Sequence, residues 1–248
     1  MPRHDHRTQR LFVHAPLSRG AVLALDAAQT NYVVNVLRLK SGARLLTFNG
    51  VDGEWAASLT DVSRKTCTLT LLEHARPQIG GPDIDYVFAP LKRGRLDYMV
   101  QKATEMGVAR LRPILTDHTQ SERVKLERMR ANCVEAAEQC GVLRVPTVAE
   151  PITFATWLRH AGGQPERHII FCDEAADVAD PVAALSALPH GPVAVVVGPE
   201  GGFSESERDG LSRLGHACRI ALGPRIMRAD TAAVAALTLV NATLGDWG

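Results

Sequence analysis

The apolar pattern of the chain changes character near residue 80. Before that point it comes in short β-forming runs at 11–14, 44–48, 54–60 and 66–72, with the turn dipeptides Asn49-Gly50 and Asp52-Gly53 between two of them. Many short strands separated by turn signals predict a small barrel. One helical piece over 29–38 interrupts them. Pro and Gly concentrate at 75–82 and predict a linker. Beyond it, apolar runs at 85–91, 112–115, 168–172, 193–197 and 218–221 alternate with helical stretches, the signature of a parallel α/β domain.

The helical stretches differ in what their faces carry. A helix over 95–106 places Leu96, Met99, Val100, Ala103 and Met106 on one face, a pattern of core packing. A helix over 122–140 buries a stripe of Leu126, Met129, Cys133, Ala136 and Cys140, leaving Lys125, Arg128, Asn132, Glu135 and Gln139 on an outer stripe that can meet RNA. The stretch 232–242 is small and apolar nearly all round, so it is expected to be buried, in part against a second subunit.

Chemistry is signalled at 192–207. The run 193–197 is uniformly apolar and β-branched, which suits a parallel strand covered on both faces. It breaks into the turn GPEGGFSESE (198–207), where Gly198, Gly201 and Gly202 allow a ligand to approach the main chain. Ser204 and Glu207 have capping-box spacing, so a helix with unpaired N–H groups is expected to start there. Ligands of parallel α/β sheets bind at such strand ends. The turn has neither the Gly-x-Gly-x-x-Gly order of a dinucleotide loop nor the Gly-Lys-Ser/Thr ending of a phosphate loop, so standard nucleotide sites are disfavoured. A second Gly-Pro turn, in ALGPRIMRADTA (221–232), also leads into a helix, and the two turns can form opposite walls of one pocket. The plainer alternative is two tight connections that bind nothing.

Composition narrows the classes. A chain of 248 residues with 46% hydrophobic content can bury a real core in one large or two modest domains. No apolar run reaches the roughly eighteen residues of a membrane span, and the His/Arg-rich start lacks a secretory apolar region, so a cytoplasmic, membrane-free protein is expected. Cys67, Cys133, Cys140, Cys172 and Cys218 are scattered and odd in number, which predicts reduced core thiols. Neither they nor the nine histidines show metal-ligand spacing, so no metal is expected. The net charge of +1 hides a local excess, because residues 92–130 hold ten Lys/Arg against five Asp/Glu. That asymmetry fits a phosphate-tracking surface.

The two glycine turns, together with KRGRLDYMVQKATEMGV (92–108), EAAEQCG (135–141) and VLRLKSG (36–42), resemble the RsmE family across nearly the whole chain and in the same order. These are SPOUT-superfamily methyltransferases that modify N3 of a uridine in bacterial 16S ribosomal RNA. The resemblance implies an α/β fold in two parts: a PUA-like RNA-binding β-barrel over 1–76, a linker over 77–82, and a SPOUT methyltransferase domain over 83–248 with a parallel sheet and a trefoil knot. It further implies S-adenosyl-L-methionine as cofactor, the 16S rRNA of the small ribosomal subunit as partner, and a homodimer. Three positions depart from the family pattern: Val142 follows Gly141 where Arg is common, Ala229-Asp230 replaces Thr-Glu, and Asn31 stands where His is frequent.

By the same resemblance, cofactor binding falls to Phe171, Val197, Gly198, Pro199, Glu200, Gly201, Gly202, Leu222, Gly223, Ile226, Met227 and Arg228. Arg228 is the expected catalytic cation, since a uracil deprotonated at N3 spreads its charge onto the neighbouring carbonyl oxygens and needs a fixed positive partner. Asp230 is the second catalytic candidate, as proton acceptor or as orienter of Arg228, with helix capping as the competing role. Candidate RNA contacts are Arg10, Arg38, Lys92, Arg95, Lys102, Glu138 and Gln139. With aromatics at only 5%, recognition should lean on RNA shape and an extruded base. Two alternatives stand beside this reading: another SPOUT enzyme acting on a ribose hydroxyl or a different base, and a non-catalytic ribosome-assembly factor that keeps the RNA-binding surfaces but no longer turns over.

Overall fold

A computed structural model describes residues 8–120, 123–176 and 180–247. The chain forms two compact units, one of residues 1–80 with 137–145 and the other of 81–136 with 146–248.

In the first unit, β1 (Arg10–Phe12), β2 (Val22–Ala24), β3 (Arg44–Phe48), β4 (Glu54–Thr60) and β5 (Thr68–Arg76) pair in the order β1-β3-β4-β5-β2. The sheet curls into a half-barrel. β3 and β4 match the expected runs; β2 was not foreseen. Period-two burial in β5 gives Leu69 and Leu71 to a core shared with Leu45, Ala57 and Leu59. The helical piece expected at 29–38 is α1 (Ala27–Thr30), capped by Asp26 and Gln29 in a capping box, running on as π-helical turns over Asn31–Val36. A second, smaller cluster joins Phe48 to Ala137 and Leu143, which is why 137–145 counts with this unit.

A parallel sheet organises the second unit. Its strands are β6 (Ile84–Phe88), β7 (Arg110–Leu115), β8 (Thr147–Val148), β10 (His168–Cys172), β11 (Val193–Val197) and β12 (Ala217–Ile220), in the order β12-β10-β11-β6-β7-β8, with β9 (Ile152–Thr153) also on β7. All five residues of β11 are buried, as a strand covered on both faces requires. On one face α4 (Phe154–Gly162) and α6 (Glu205–Ser212) pack over Val87, Ile169, Phe171, Ala194 and Val196 through Phe154, Trp157 and Leu211, joined by Phe203 from the loop before α6. The other face meets α2 (Arg93–Glu105) and α7 (Ala229–Thr243), whose buried residues are mostly alanine, so the helix approaches β11 closely. α3 (Leu126–Cys140) and α5 (Pro181–Ser186) complete the order. The expected start of α3 at Glu122 lies outside the described residues.

Two expectations about α3 are corrected. Cys140 is exposed rather than part of the buried stripe, whereas Cys133 is buried. Arg128 and Asn132 of the outer stripe are bound to Asp97 of α2, at 2.5–2.9 Å, so that part of the stripe is packed rather than offered to RNA. Among the described residues no helix is long and apolar enough to cross a membrane, and no group of three or more His, Cys, Asp or Glu gathers as metal ligands.

Candidate active site

The carboxyl ends of β10, β11 and β12 lie side by side, and the chain leaves each of them into a loop. Between those loops is a cleft of about 230 Å³ whose walls are the two glycine turns. Val197, Gly198, Pro199, Glu200, Gly201 and Gly202 form one side; Leu222, Gly223, Ile226 and Met227 form the other. Cys172, Asp173 and Glu174 from the end of β10, Phe203, Arg225, and Ala229 and Ala232 of α7 complete the lining. A second hollow of about 670 Å³ adjoins it, sharing Glu174, Leu222 and Gly223 and bounded by Ala235, Thr238 and Leu239 of α7.

The first wall is held by the start of α6. Ser204 caps the helix, and Glu207 Oε2 accepts the Ser204 N–H at 2.9 Å, completing the capping box expected from spacing. Gly202 donates its N–H to Pro199 O at 2.9 Å, closing the turn. Phe203 then points into the core, edge-on to Phe171 at 5.2 Å between ring centroids. A Cβ on Gly198 would lie 2.8 Å from the Phe203 ring, so glycine there is demanded by this infolding. Gly202 and Gly223 have φ of +67° and +106°, which side chains other than glycine rarely adopt.

Charges around the cleft are largely paired. Asp173 is buried and accepts from Arg219 Nε at 2.7 Å, and Glu174 accepts from Arg208 at 2.5 Å. Glu200 pairs with Arg95. Arg228 is exposed at the N-cap of α7, with no side-chain cap hydrogen bond. Its cationic head therefore adds to the positive end of a fifteen-residue helix. Burial, with Cys218 nearby, pushes the Cys172 thiol up to about 12, so it is neutral at physiological pH.

The structure thus gathers ten of the twelve expected cofactor residues into one lining and sets two apart. Phe171 is 1% exposed and supports the wall from beneath through Phe203. Arg228 stands just outside the lining, next to Ala229. Asp230 is half-buried, and its Oδ1 accepts the Thr231 N–H at 3.0 Å, a helix-start contact.

The expected RNA contacts scatter. Arg10 is 6% exposed, and its Nε donates to Glu54 Oε1 at 2.9 Å, so its guanidinium faces the interior of the first unit. Glu138 accepts the Phe12 N–H at 2.8 Å, a structural bond of the same unit. Lys102 binds Glu105 at 2.7 Å and lies over the Tyr98 ring. Arg38, Lys92 and Gln139 are exposed. Sequence reasoning missed Cys172, Asp173, Glu174 and Arg225, although Asp173 and Glu174 follow an expected strand end, the signal that marks such positions.

Comparison with known proteins places this geometry. The RNA methyltransferase domain family matches residues 80–241, and the RNA methyltransferase PUA domain family matches residues 25–72. A ribosomal RNA small subunit methyltransferase E from Synechocystis is 32% identical over 228 residues, covering 90% of this chain and 74% of that protein. One of the same name from Rickettsia conorii is 28% identical over 234 residues, 94% of each chain. Among solved structures, the Neisseria gonorrhoeae methyltransferase E bound to S-adenosyl methionine superposes with a TM-score of 0.86 at 25% identity, over 98% of this chain and 100% of that one. A Legionella pneumophila methyltransferase in complex with the same cofactor also gives 0.86, at 30% identity over 97% and 99%. With both domain families matched in order along one chain, the protein belongs to the PUA-containing RNA methyltransferase family of the ribosomal RNA small subunit methyltransferases E.

Proposed function

We propose that this protein methylates N3 of a uridine in 16S rRNA, using S-adenosylmethionine bound in the cleft between the two glycine turns. The observation that carries the reading is that Gly201 and Gly223, far apart in sequence, line one cavity at the carboxyl ends of a parallel sheet. The residues present fit that cofactor. The walls offer main-chain donors and acceptors at Leu222, Gly223 and Ile226 for an adenine edge, and apolar contact from Val197, Leu222 and Met227. When bound, S-adenosylmethionine supplies an electrophilic methyl on a sulfonium.

The chain's own task is alignment and charge. Displacement needs the acceptor nitrogen in line with and in contact with the methyl carbon, so rigid walls contribute directly to rate. N3 of uracil carries a proton that must leave before attack, and the charge left on the ring needs a cation. Arg228 supplies it, aided by the N-terminus of α7. We assign Asp230 to anchoring that helix start. Arg38, Lys92 and Gln139 are the RNA-facing candidates that remain exposed, and contacts of that kind position the strand without reading bases.

The reading includes a homodimer, supported by the part-exposed Ala235, Thr238 and Leu239 of α7 beside the larger hollow and by Ile226, 94% exposed at the cleft. The test is calorimetry with S-adenosylmethionine followed by methyl transfer with Arg228→Ala. Cofactor binding with methylation lost in the variant supports the enzyme. Absence of cofactor binding by the unaltered protein points to the assembly factor instead.

A further inference from the structure

The loop 116–119 after β7 touches the first glycine turn at three places that the proposed reaction leaves unused. Its own ends brace it: Thr119 Oγ1 accepts the Thr116 N–H at 2.8 Å, and Thr116 O accepts the Thr119 N–H at 3.1 Å. From this base the Asp117 N–H donates to Glu207 Oε1 at 3.0 Å, and Ser204 Oγ donates to the Asp117 carboxylate at 2.6 Å. Beside them His118 Nδ1 lies 2.9 Å from Gly201 O and 3.1 Å from Gly202 O. A carbonyl oxygen only accepts, so the hydrogen sits on Nδ1.

The peptide unit joining Gly201 to Gly202 is therefore held at both ends. His118 takes its carbonyl on one side, and Pro199 O takes its N–H on the other. A Gly-Gly peptide is the least constrained in the chain, and with Gly202 at φ +67° a flip of this plane meets little steric resistance. Which way it faces decides which backbone groups the wall presents to the cleft. The His118 side chain also fills the space on that side, since a Cβ on Gly201 would lie 3.2 Å from its Cβ.

We propose that His118 is a positioning residue: its Nδ1–H fixes the orientation of the Gly201 and Gly202 carbonyls and so sets the wall in its binding form. The identity of the ligand rests on the function proposed above, whereas the pinning of the peptide does not. The test compares the full-length protein with His118→Ala and His118→Asn, whose amide nitrogen sits at the same branch position as Nδ1. Hydrogen exchange of the 198–207 amides, measured without cofactor, should rise about fivefold in the alanine variant, the scale of one lost neutral hydrogen bond, with the melting temperature lowered by no more than about 4 °C. The KM for S-adenosylmethionine should rise by a similar factor while kcat stays within about twofold. His118→Asn should restore both.

Unchanged exchange in His118→Ala, or an asparagine variant no better than alanine, would overturn the proposal. Unaltered protein that fails to bind S-adenosylmethionine would instead overturn the function reading, and the exchange measurement would still decide the role of His118.

Discussion

The glycines around the cleft are glycine for different reasons, and only coordinates separate them. Sequence alone assigns Gly198 and Gly201 to close approach of a ligand. The space an added Cβ would enter is instead occupied by Phe203 at Gly198 and by His118 at Gly201. Gly223 has open space and is constrained by its positive φ. We therefore expect Gly198→Ala to destabilise the protein by about 1–3 kcal/mol through overpacking, measured by urea unfolding, with cofactor affinity falling because the wall moves. Gly201→Val should weaken cofactor binding by displacing His118, so combining it with His118→Ala should cost less than the two effects added. Thiol chemistry gives a second check at this scale. Burial pushes Cys133 to about 11 and Cys172 to about 12, while Cys140 is exposed. Iodoacetamide at pH 8 should modify Cys140 first and leave Cys133 and Cys172 intact in the folded protein.

At the scale of elements, strands bounded by clear turn or linker signals were legible: β3, β4, β10 and β11 coincide with the expected runs. β2 has three residues and α5 six, too short to impose a period, and α4 follows β9 directly, so its start is marked only by the Thr153 cap. The buried cluster around Glu54 was invisible to periodicity, because its members come from β1, β4 and β5. Glu54 accepts from Arg10 at 2.9 Å and from Arg76 at 2.8 Å, and Arg76 also donates to Gly141 O at 3.0 Å. The candidate motif 135–141 therefore ends as part of the first unit's scaffold. Glu54→Ala removes the buried carboxylate that Arg10 and Arg76 share and should destabilise that unit by about 3–5 kcal/mol, read as a lowered midpoint in its unfolding by urea. Ser204→Ala, which removes the cap of α6, should cost about 1 kcal/mol.

Across the whole molecule, the cleft was legible because each glycine turn follows the end of a strand, a pattern confined to local sequence. What braces the cleft was not, because it comes from the loop after β7, some eighty residues earlier in the chain. The basic excess at 92–130 likewise overstated the surface offered to RNA. Arg110 and Arg112 pair with Asp85, and Arg128 with Asp97. The hydrogen bond from Arg128 holds the Asp97 carboxyl below its usual value. A depressed carboxylate contributes stability above its unfolded pKa of about 4 and loses it as pH falls through the lower folded value. Acid unfolding should accordingly steepen below about pH 4, and Arg128→Ala should flatten that slope. The central claim is that the cleft delivers a methyl group to a uracil nitrogen of 16S rRNA. Labelled methyl transfer from S-adenosylmethionine onto unmodified small subunits and free rRNA, mapped by mass spectrometry, tests it most directly. The account predicts one methyl on N3 of a single uridine, abolished by Arg228→Ala; label on a ribose oxygen or another base, or none on either substrate, would contradict it.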